Sequence, residues 1–389
     1  MSAPAGVLKE PAFSQPEYRR RIEATWEEME RRGLDALLLF SPGNIYYLAG
    51  MDSEDWVDLQ CLIVPSRSDP VLIVLHFELG RAQNSSWLTS PVVYGPFDDP
   101  VETILEVLRE HRLSLGHLGI EQRHGWLSPQ HFLHLRGALP HATIEDAFGV
   151  VERLRLVKSD EEIALMRRAA ALTDTGVAAG YRAIAPGICD AEVAGAIAEA
   201  MYRGGSNLVC WGPIVAAGYR AGLAHSAHDG YVLKSGDTVF LELTGEFKRY
   251  TAPSMRTAII GRPSDEQRRV AQASQDAVAA ILEIARPGVP ASAVAQAGLK
   301  YIQPVEREIV FHYNFGYPVG IGYPPSWIEP LGYFLRTDNH EPLQAGMVFH
   351  VPMSLRSLGR FGVCLSQAMH VTADGAVALT QTPARLEQV

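Results

Sequence analysis

The pattern of the chain changes near residue 150, and this change limits the folds that the sequence can adopt. Before it, helix-favouring stretches alternate with short apolar runs, such as residues 36–40 and 70–78, which is typical of an α/β domain. After it, Ser159 and Glu162 have the spacing of a capping box, and helices and strands then follow in separate blocks. The sequence therefore predicts an α/β domain over residues 1–152 and an α+β domain over residues 153–389.

Charge and cysteine usage exclude several classes of function. The 44 acidic residues outnumber the 34 basic ones and give a formal charge of −10, so the chain has no overall attraction for nucleic acid or anionic lipid. Its four cysteines are far apart and form no C-x-x-C pair, which indicates a reducing compartment. The first 15 residues contain no apolar stretch, and the apolar runs are too short to cross a bilayer. We therefore expect a cytoplasmic protein without membrane or nucleic-acid partners.

General catalytic motifs give no assignment, because the chain contains no H-E-x-x-H, G-x-S-x-G or Walker sequence. Four segments stand out instead: LAHSAHDG at 223–230, GDTVFLELTGEFKRYTAPSMRT at 236–257, GYPVGIGYPP at 316–325, and a tail with GMVFHVPMSL and GVCLSQAMHVT. In this order they resemble the pita-bread family of methionine aminopeptidases, prolidases, creatinase and ectoine hydrolase. The resemblance covers nearly the whole chain. It implies a pita-bread catalytic domain preceded by a smaller creatinase-like domain.

The metalloenzymes of that family hold two divalent ions with two Asp, one His and two Glu side chains, because hard cations need oxygen donors at short range. The matching positions in this chain are occupied by Glu242, Pro253, Tyr317 or Val319, Pro352 and Ser366. A single carboxylate cannot bind two metal ions. The resemblance therefore implies a member without a metal or another cofactor, as creatinase and ectoine hydrolase are.

Within the family, the chain is more similar to ectoine hydrolase. The pattern to which it is similar in that group is E-x-x-G-x-x-x-R-Y-x-x-P-x-x-R-T, followed by G-Y-P-x-G-x-x-Y-P-P-x-W-x-E and then F-H-F. The matching residues here are Glu242, Gly245, Arg249, Tyr250, Pro253, Arg256 and Thr257, then Gly316, Tyr317, Pro318, Gly320, Tyr323, Pro324, Pro325, Trp327 and Glu329, then Phe349 and His350. Creatinase-like enzymes carry a glutamate where Met255 stands, which argues against creatine as the substrate. Two departures, in the loop 50–56 and at Ser366, leave open whether ectoine itself is the substrate.

Glu242 and His225 are the candidate catalytic residues. Glu242 lies in the apolar segment TVFLEL, where an ionised carboxylate is costly unless it is paired or has a function, and it falls on a ligand position of the family. The alternative is a buried ion pair with Arg249 or Arg256. His225 falls on the family's active-site histidine position and can transfer protons near neutral pH, although a structural histidine is the alternative.

The candidate substrate-binding residues follow from the same resemblance. A guanidinium at Arg256 suits a substrate carboxylate, and aromatic rings can flank a cationic amidine or simply belong to the core. The full set is Arg256, Tyr250, Tyr317, Tyr323, Trp327, Glu329 and His350, together with Trp56. The resemblance also implies a homodimer, in which the loop carrying Trp56 would close the pocket of a neighbouring subunit.

These residues predict a metal-independent hydrolase that opens a C–N bond in a small polar or cyclic amidine or amide. Glu242 would attack the electrophilic carbon or activate water, and His225 would carry a proton to the leaving nitrogen. A metal-dependent Xaa-Pro dipeptidase or aminopeptidase is one alternative, which the missing ligands oppose. A catalytically inactive binding protein of the same fold is another, and the retention of Glu242 and His225 opposes it.

Overall fold

The computed structural model describes residues 7–55, 57–123 and 125–389. The chain divides into two compact units, residues 1–155 and 156–389, so the division falls three residues after the expected boundary at 152. None of the helices in the described ranges combines the length and the apolar character that a membrane span requires.

The first unit is built around a six-stranded mixed sheet. Its strands are β1 (Ala36–Leu39), β2 (Cys61–Pro65), β3 (Val71–Leu75), β4 (Val92–Tyr94), β5 (His117–Ile120) and β6 (Thr143–Asp146). They lie in the order β4-β3-β2-β1-β5-β6, with antiparallel pairing from β1 to β2 and β2 to β3 and parallel pairing elsewhere. The helices are α1 (Gln15–Arg32), α2 (Pro42–Ala49), α3 (Leu79–Ser85), α4 (Pro100–Glu110), α5 (Pro129–Ala138) and α6 (Val150–Leu156), the last of which reaches the division between the units.

Local sequence signals explain the first helix. The Ser14 hydroxyl accepts a hydrogen bond from the backbone N–H of Glu17, and Gly33 ends α1 in the left-handed conformation at φ 67°. The apolar side chains of the central strands, among them Leu38, Ile63 and Ile73, pack with α4 in one core. This agrees with the alternating α/β pattern that the sequence predicts.

The second unit has helices and strands in blocks, as predicted. Its helices are α7 (Asp160–Ala183), α8 (Asp190–Arg203), α9 (Asp265–Ile284) and α10 (Ala291–Ile302). Its strands are β7 (Ile214–Ala217), β8 (Thr238–Leu243), β9 (Glu246–Phe247), β10 (Tyr250–Thr251), β11 (Ser254–Ile259), β12 (Tyr317–Tyr323), β13 (Ser326–Ile328), β14 (Val348–Ser357), β15 (Phe361–Val371), β16 (Ala376–Ala378) and β17 (Glu387–Gln388). The capping box at Ser159 and Glu162 is present at the start of α7, which confirms that prediction.

Two sheets form the centre of this unit. One has the order β17-β11-β8-β7, and the other has the order β16-β15-β14-β12-β10-β9, with β13 added beside β12. Apolar residues of α9 and α10 pack with the tail strands β14 and β15 in one core cluster. Burial of this apolar surface fixes the two long tail strands in place, and those strands supply part of the site described next.

Candidate active site

A cavity of about 220 Å³ lies within the second unit, between strands of both sheets and three loops. The side chains that line it are Trp211, Ile214, Ala224, His225, Glu242, Met255, His312, Tyr317, Trp327, Ile328, Pro352, Ser354 and Arg356. An apolar cavity of about 150 Å³ holds a benzene molecule, so a cavity of about 220 Å³ holds a ligand of roughly nine non-hydrogen atoms. The cavity therefore suits a small molecule.

One wall is a row across the four-stranded sheet. The register places Glu242 of β8 opposite Ile214 of β7 on one side and opposite Met255 of β11 on the other. Directly opposed residues of paired strands lie on the same face of a sheet, so all three side chains reach the cavity together. The row sets a single carboxylate between two apolar neighbours.

A second wall comes from β14. Successive side chains of a strand alternate between its faces, so Pro352, Ser354 and Arg356 share one face. All three line the cavity. The register pairs Pro352 with Ser366 of β15, so the two tail positions that the resemblance matches to glutamate ligands lie side by side here without a carboxylate.

Aromatic rings close the remaining side. The rings of Trp211 and Trp327 lie 5.4 Å apart, and the indole N–H of Trp327 donates to the Tyr317 hydroxyl at 3.1 Å. Such rings provide apolar area and negatively polarised faces without adding a formal charge.

Glu242 is partly buried, and in the described part of the chain its carboxylate makes no hydrogen bond and no ion pair. Burial raises its pKa to about 7, and the positive charge of Arg356 opposes part of that rise. The alternative of an ion pair with Arg249 or Arg256 is wrong: the Arg249 guanidinium lies 3.7 Å from Glu246, and Arg256 bonds to backbone carbonyls. A carboxyl group whose pKa lies near neutrality, in a cavity, can serve as a base or a nucleophile.

Two histidines lie on the cavity beside Glu242. His225 is exposed and sits in the left-handed region at φ 57°, a conformation that is uncommon for residues other than glycine and that frequently marks functional loops. His312 also belongs to an exposed segment. The backbone N–H of Asn314 donates to its Nδ1 at 3.1 Å, and desolvation of the ring in the cavity, together with the charges of Arg356 and His225, lowers the pKa of His312. His312 is therefore neutral, with its proton on Nε2.

Behind the aromatic wall, neutral groups form a buried network. The Nδ1 and Nε2 atoms of His350 lie 2.6 Å from the Tyr317 hydroxyl and 2.7 Å from the Ser366 hydroxyl, and Ser366 also accepts from the backbone N–H of Met255 at 2.6 Å. Burial lowers the pKa of His350 to about 3 and raises that of Tyr317 above its usual value. Tyr317 and Ser366, together with His350, thus belong to a hydrogen-bonded network that carries no charge.

The structure brings four of the predicted residues to the cavity: Glu242, His225, Tyr317 and Trp327. His350 lies one layer behind, through its bond to Tyr317. Arg256, Tyr250, Tyr323 and Glu329 are not in the lining, and Trp56 lies outside the described residues.

Arg256 requires a correction. Its side chain is fully buried, and its guanidinium donates to the carbonyl of Met255 at 2.8 Å, to that of Ser366 at 2.6 Å, and to that of Thr382. Residue 255 faces the cavity, so residue 256, the next on β11, faces the opposite side. The predicted contact of Arg256 with a substrate carboxylate is inconsistent with this placement, and the side chain instead ties β11 to the tail.

The other three residues outside the lining also have local partners. The Tyr250 hydroxyl donates to Glu162 of α7 at 2.7 Å. The Tyr323 ring lies 4.6 Å from the Arg249 guanidinium, and Glu329 accepts from the backbone N–H of Ile321 at 3.2 Å. These contacts hold the strands around the site together, and none of the three residues is in the lining of the cavity.

Arg356, His312 and Trp211 line the cavity and were missed by sequence reasoning. For Arg356 a signal exists, because it lies four residues after Pro352 on the same strand and alternation places both on one face. His312 and Trp211 lie in loops, where no periodic pattern shows which way a side chain points.

The donor set does not fit a dinuclear metal centre. Over residues 7–55, 57–123 and 125–389, no three His, Cys, Asp or Glu side chains come together in a way that could hold a metal ion. At the cavity, Glu242 is the single carboxylate among the described lining residues, and carboxylate oxygens are the donors that such ions require.

Comparison with known proteins defines the class. Residues 164–373 match the model of metallopeptidase family M24, and residues 21–157 match that of the Creatinase/Prolidase N-terminal domain. The fold is therefore a creatinase-type N-terminal domain followed by a pita-bread catalytic domain, as the sequence predicts. The chain belongs to metallopeptidase family M24, a family of hydrolases.

Relatives within the family differ in what their names say they act on. An uncharacterized hydrolase/peptidase of Sinorhizobium fredii is 30% identical over 98% of this chain and 99% of its own length. The ectoine hydrolase of Halomonas elongata is 27% identical over 96% and 98%, and the Xaa-Pro dipeptidase of Pyrococcus furiosus is 26% identical over 95% and 99%.

Solved structures agree on the fold. The dipeptidase PepE of Mycobacterium ulcerans superposes with a TM-score of 0.83 at 25% identity, covering 97% of this chain and 99% of its own. A prolidase of Thermococcus sibiricus superposes with a TM-score of 0.84 at 21% identity, covering 96% and 99%.

Proposed function

We propose that this protein is a metal-independent hydrolase that opens a C–N bond in a small cyclic amidine or amide, in the manner of ectoine hydrolase. The observation that carries the proposal is the cavity itself, where Glu242 is the single carboxylate among the described lining residues, beside aromatic and apolar side chains, two histidines and Arg356. Such a site offers one base or nucleophile and lacks the carboxylate cluster that a peptidase metal pair needs.

Hydrolysis at this site requires one bond to oxygen to form and the C–N bond to break. In one route, Glu242 takes a proton from water, and the hydroxide adds to the amidine or amide carbon. In the other, the carboxylate adds to that carbon and forms an acyl-type intermediate, which water then releases. Both routes need the ionised carboxylate, and both deliver a proton to the leaving nitrogen.

His225 is the group that we assign to proton delivery. It lines the same cavity as Glu242, and a histidine side chain both accepts and donates a proton near neutral pH. His312 is held neutral by its surroundings, with Nδ1 already accepting from the backbone, so it suits a hydrogen-bonding role more than a proton-transfer role. The retention of a carboxyl group with a pKa near 7 beside His225 also favours an enzyme over an inactive binding protein.

A metal-dependent Xaa-Pro dipeptidase is the second candidate, because one of the relatives carries that name. The two proposals predict opposite substrate preferences. In buffer containing EDTA, we expect the protein to hydrolyse ectoine or a related cyclic amidine or small amide, and to leave Xaa-Pro dipeptides intact. Product formation is followed by chromatography with mass detection, with each substrate also tested in the presence of Mn²⁺. Cleavage of a dipeptide that appears only with Mn²⁺, without turnover of any amidine or amide, would establish the dipeptidase instead.

In that experiment the size of the cavity adds a further expectation. Because it holds roughly nine non-hydrogen atoms, activity should fall as bulky substituents are added to the acyl group or the ring. A panel that keeps the reacting C–N bond and changes only the substituent measures this directly.

A further inference from the structure

Arg356 is a buried cation in the wall of the cavity, and it has no role in the proposed reaction. Its exposed fraction is 7%, and it lies on β14 with its side chain on the cavity face. Its Nη1 donates to the carbonyl of Ala221 at 2.7 Å and to that of Leu223 at 3.1 Å, and its Nε donates to the Ser354 hydroxyl at 3.1 Å. Within the described ranges, Nη2 makes no hydrogen bond, so its two protons remain for a ligand.

The charge of Arg356 is also without a close counterion in the part of the chain that the structure describes. Its hydrogen-bond acceptors are neutral, and its guanidinium lies 4.6 Å from the centre of the Phe240 ring. Glu242 is the single carboxylate among the described lining residues, and it forms no ion pair with Arg356, although the positive charge of Arg356 lowers its pKa. A buried cation in this position is costly unless an anion completes it.

We propose that Arg356 binds a carboxylate of the substrate, which assigns to the enzyme a small amidine or amide that bears one carboxylate group. This assignment rests on the proposed function, because it names the substrate class of the same site. The bonds from Nε and Nη1 fix the plane of the guanidinium, and a pre-oriented guanidinium donor loses little entropy when it binds a carboxylate. Arg356 thus takes the role that the sequence suggested for Arg256.

The other residues of the lining are consistent with a ligand that carries a single anionic group. Ile214, Met255 and Ile328 provide apolar surface, and Arg356 is the one permanently charged cation among the described lining residues. The anionic end of the ligand is therefore fixed at Arg356, and the C–N bond is directed toward Glu242, the reactive carboxylate of the cavity.

Binding of a matched pair of probes tests this without requiring turnover. N-acetylglycine and N-acetylglycinamide have the same shape, and only the first carries a carboxylate. By isothermal titration calorimetry, we expect the full-length protein to bind N-acetylglycine about 10- to 100-fold more tightly than the amide, the range of a charge-assisted hydrogen bond. Arg356→Met should abolish this preference. Arg360→Met, which changes an exposed arginine paired with Glu266, should keep it.

Equal affinity of the wild-type protein for the two probes would overturn the assignment, and so would an unchanged preference in folded Arg356→Met. Because Arg356 also bonds to the loop carbonyls, folding of the variant is checked by circular dichroism. If Arg356→Met is unfolded, the wild-type comparison and Arg356→Lys, which should retain a weakened preference, decide the question. This experiment measures binding and not hydrolysis. The carboxylate preference can therefore be present even if the proposed reaction is wrong, and its absence would not argue against the reaction.

Discussion

Replacement of Glu242 by glutamine is expected to lower kcat by about 10²–10⁴-fold, the usual loss when a positioned general base is removed. Glutamine keeps the volume and the hydrogen-bonding reach of the side chain but cannot accept the proton of water or attack carbon. The measurement is the steady-state rate on whichever amidine or amide proves to be the best substrate. Glu199→Gln, which makes the same exchange on an exposed residue paired with Arg203, is the matched control and should leave kcat unchanged.

The same variant has a stability signature with a defined sign. The pKa of Glu242 is about 7 in the folded chain against an ordinary value of 4.5, so the folded state holds its proton more tightly than the unfolded state does. This stabilisation is complete at low pH and is lost as pH rises from about 4.5 to about 7, a loss on the order of 3 kcal/mol. Glu242→Gln should therefore unfold at a higher denaturant concentration than wild type at pH 8, and the difference should disappear near pH 4.

For the kinetic prediction, a Glu242→Gln variant with near-normal turnover would remove the basis of the mechanism.

Loss of the His225 side chain is expected to lower kcat by about 10²-fold or more, because proton delivery to the leaving nitrogen would then depend on water. His228 lies three residues further along the same loop and is absent from the cavity lining, so His228→Ala is the matched control and should behave like wild type. Both variants replace a histidine of the same loop by alanine, and only His225 lines the cavity.

Coupling between His225 and Glu242 gives a sharper version of this test. If the two act as a unit, the double variant Glu242→Gln/His225→Ala should be hardly slower than the slower single variant. Strictly additive losses in the logarithm of kcat would indicate that His225 acts independently of Glu242, and an active His225→Ala would assign proton delivery to another group.

The fold and part of the site could be predicted from the sequence, because those features depend on local patterns. The capping box at Ser159 and the lone carboxylate in TVFLEL are each visible within a few consecutive residues. The alternation of helices and strands before residue 150 is built from short patterns of the same kind. Glu242 and His225 also fall on motif positions of the family, so their presence at one cavity follows from the fold.

The errors concern which face of a strand a side chain occupies. Arg256 and Met255 are adjacent, and a shift of one residue moves a side chain from one face of the sheet to the other. Only the register with β8, in which Met255 lies opposite Glu242, shows that Arg256 must point away. The same reasoning applied to β14 would have placed Arg356 at the cavity, but that requires knowing that Pro352 faces it.

The most direct test of the central claim is the metal content of the purified protein, measured by elemental analysis alongside its hydrolytic rate before and after dialysis against EDTA. We expect no stoichiometric divalent metal and an unchanged kcat on the amidine or amide substrate, because the positions that the resemblance matches to carboxylate ligands hold Pro253, Pro352 and Ser366, and Glu242 is the single carboxylate among the described lining residues. One or two equivalents of Mn, Co or Zn per chain, with activity that is lost on chelation and restored by the metal, would contradict the account.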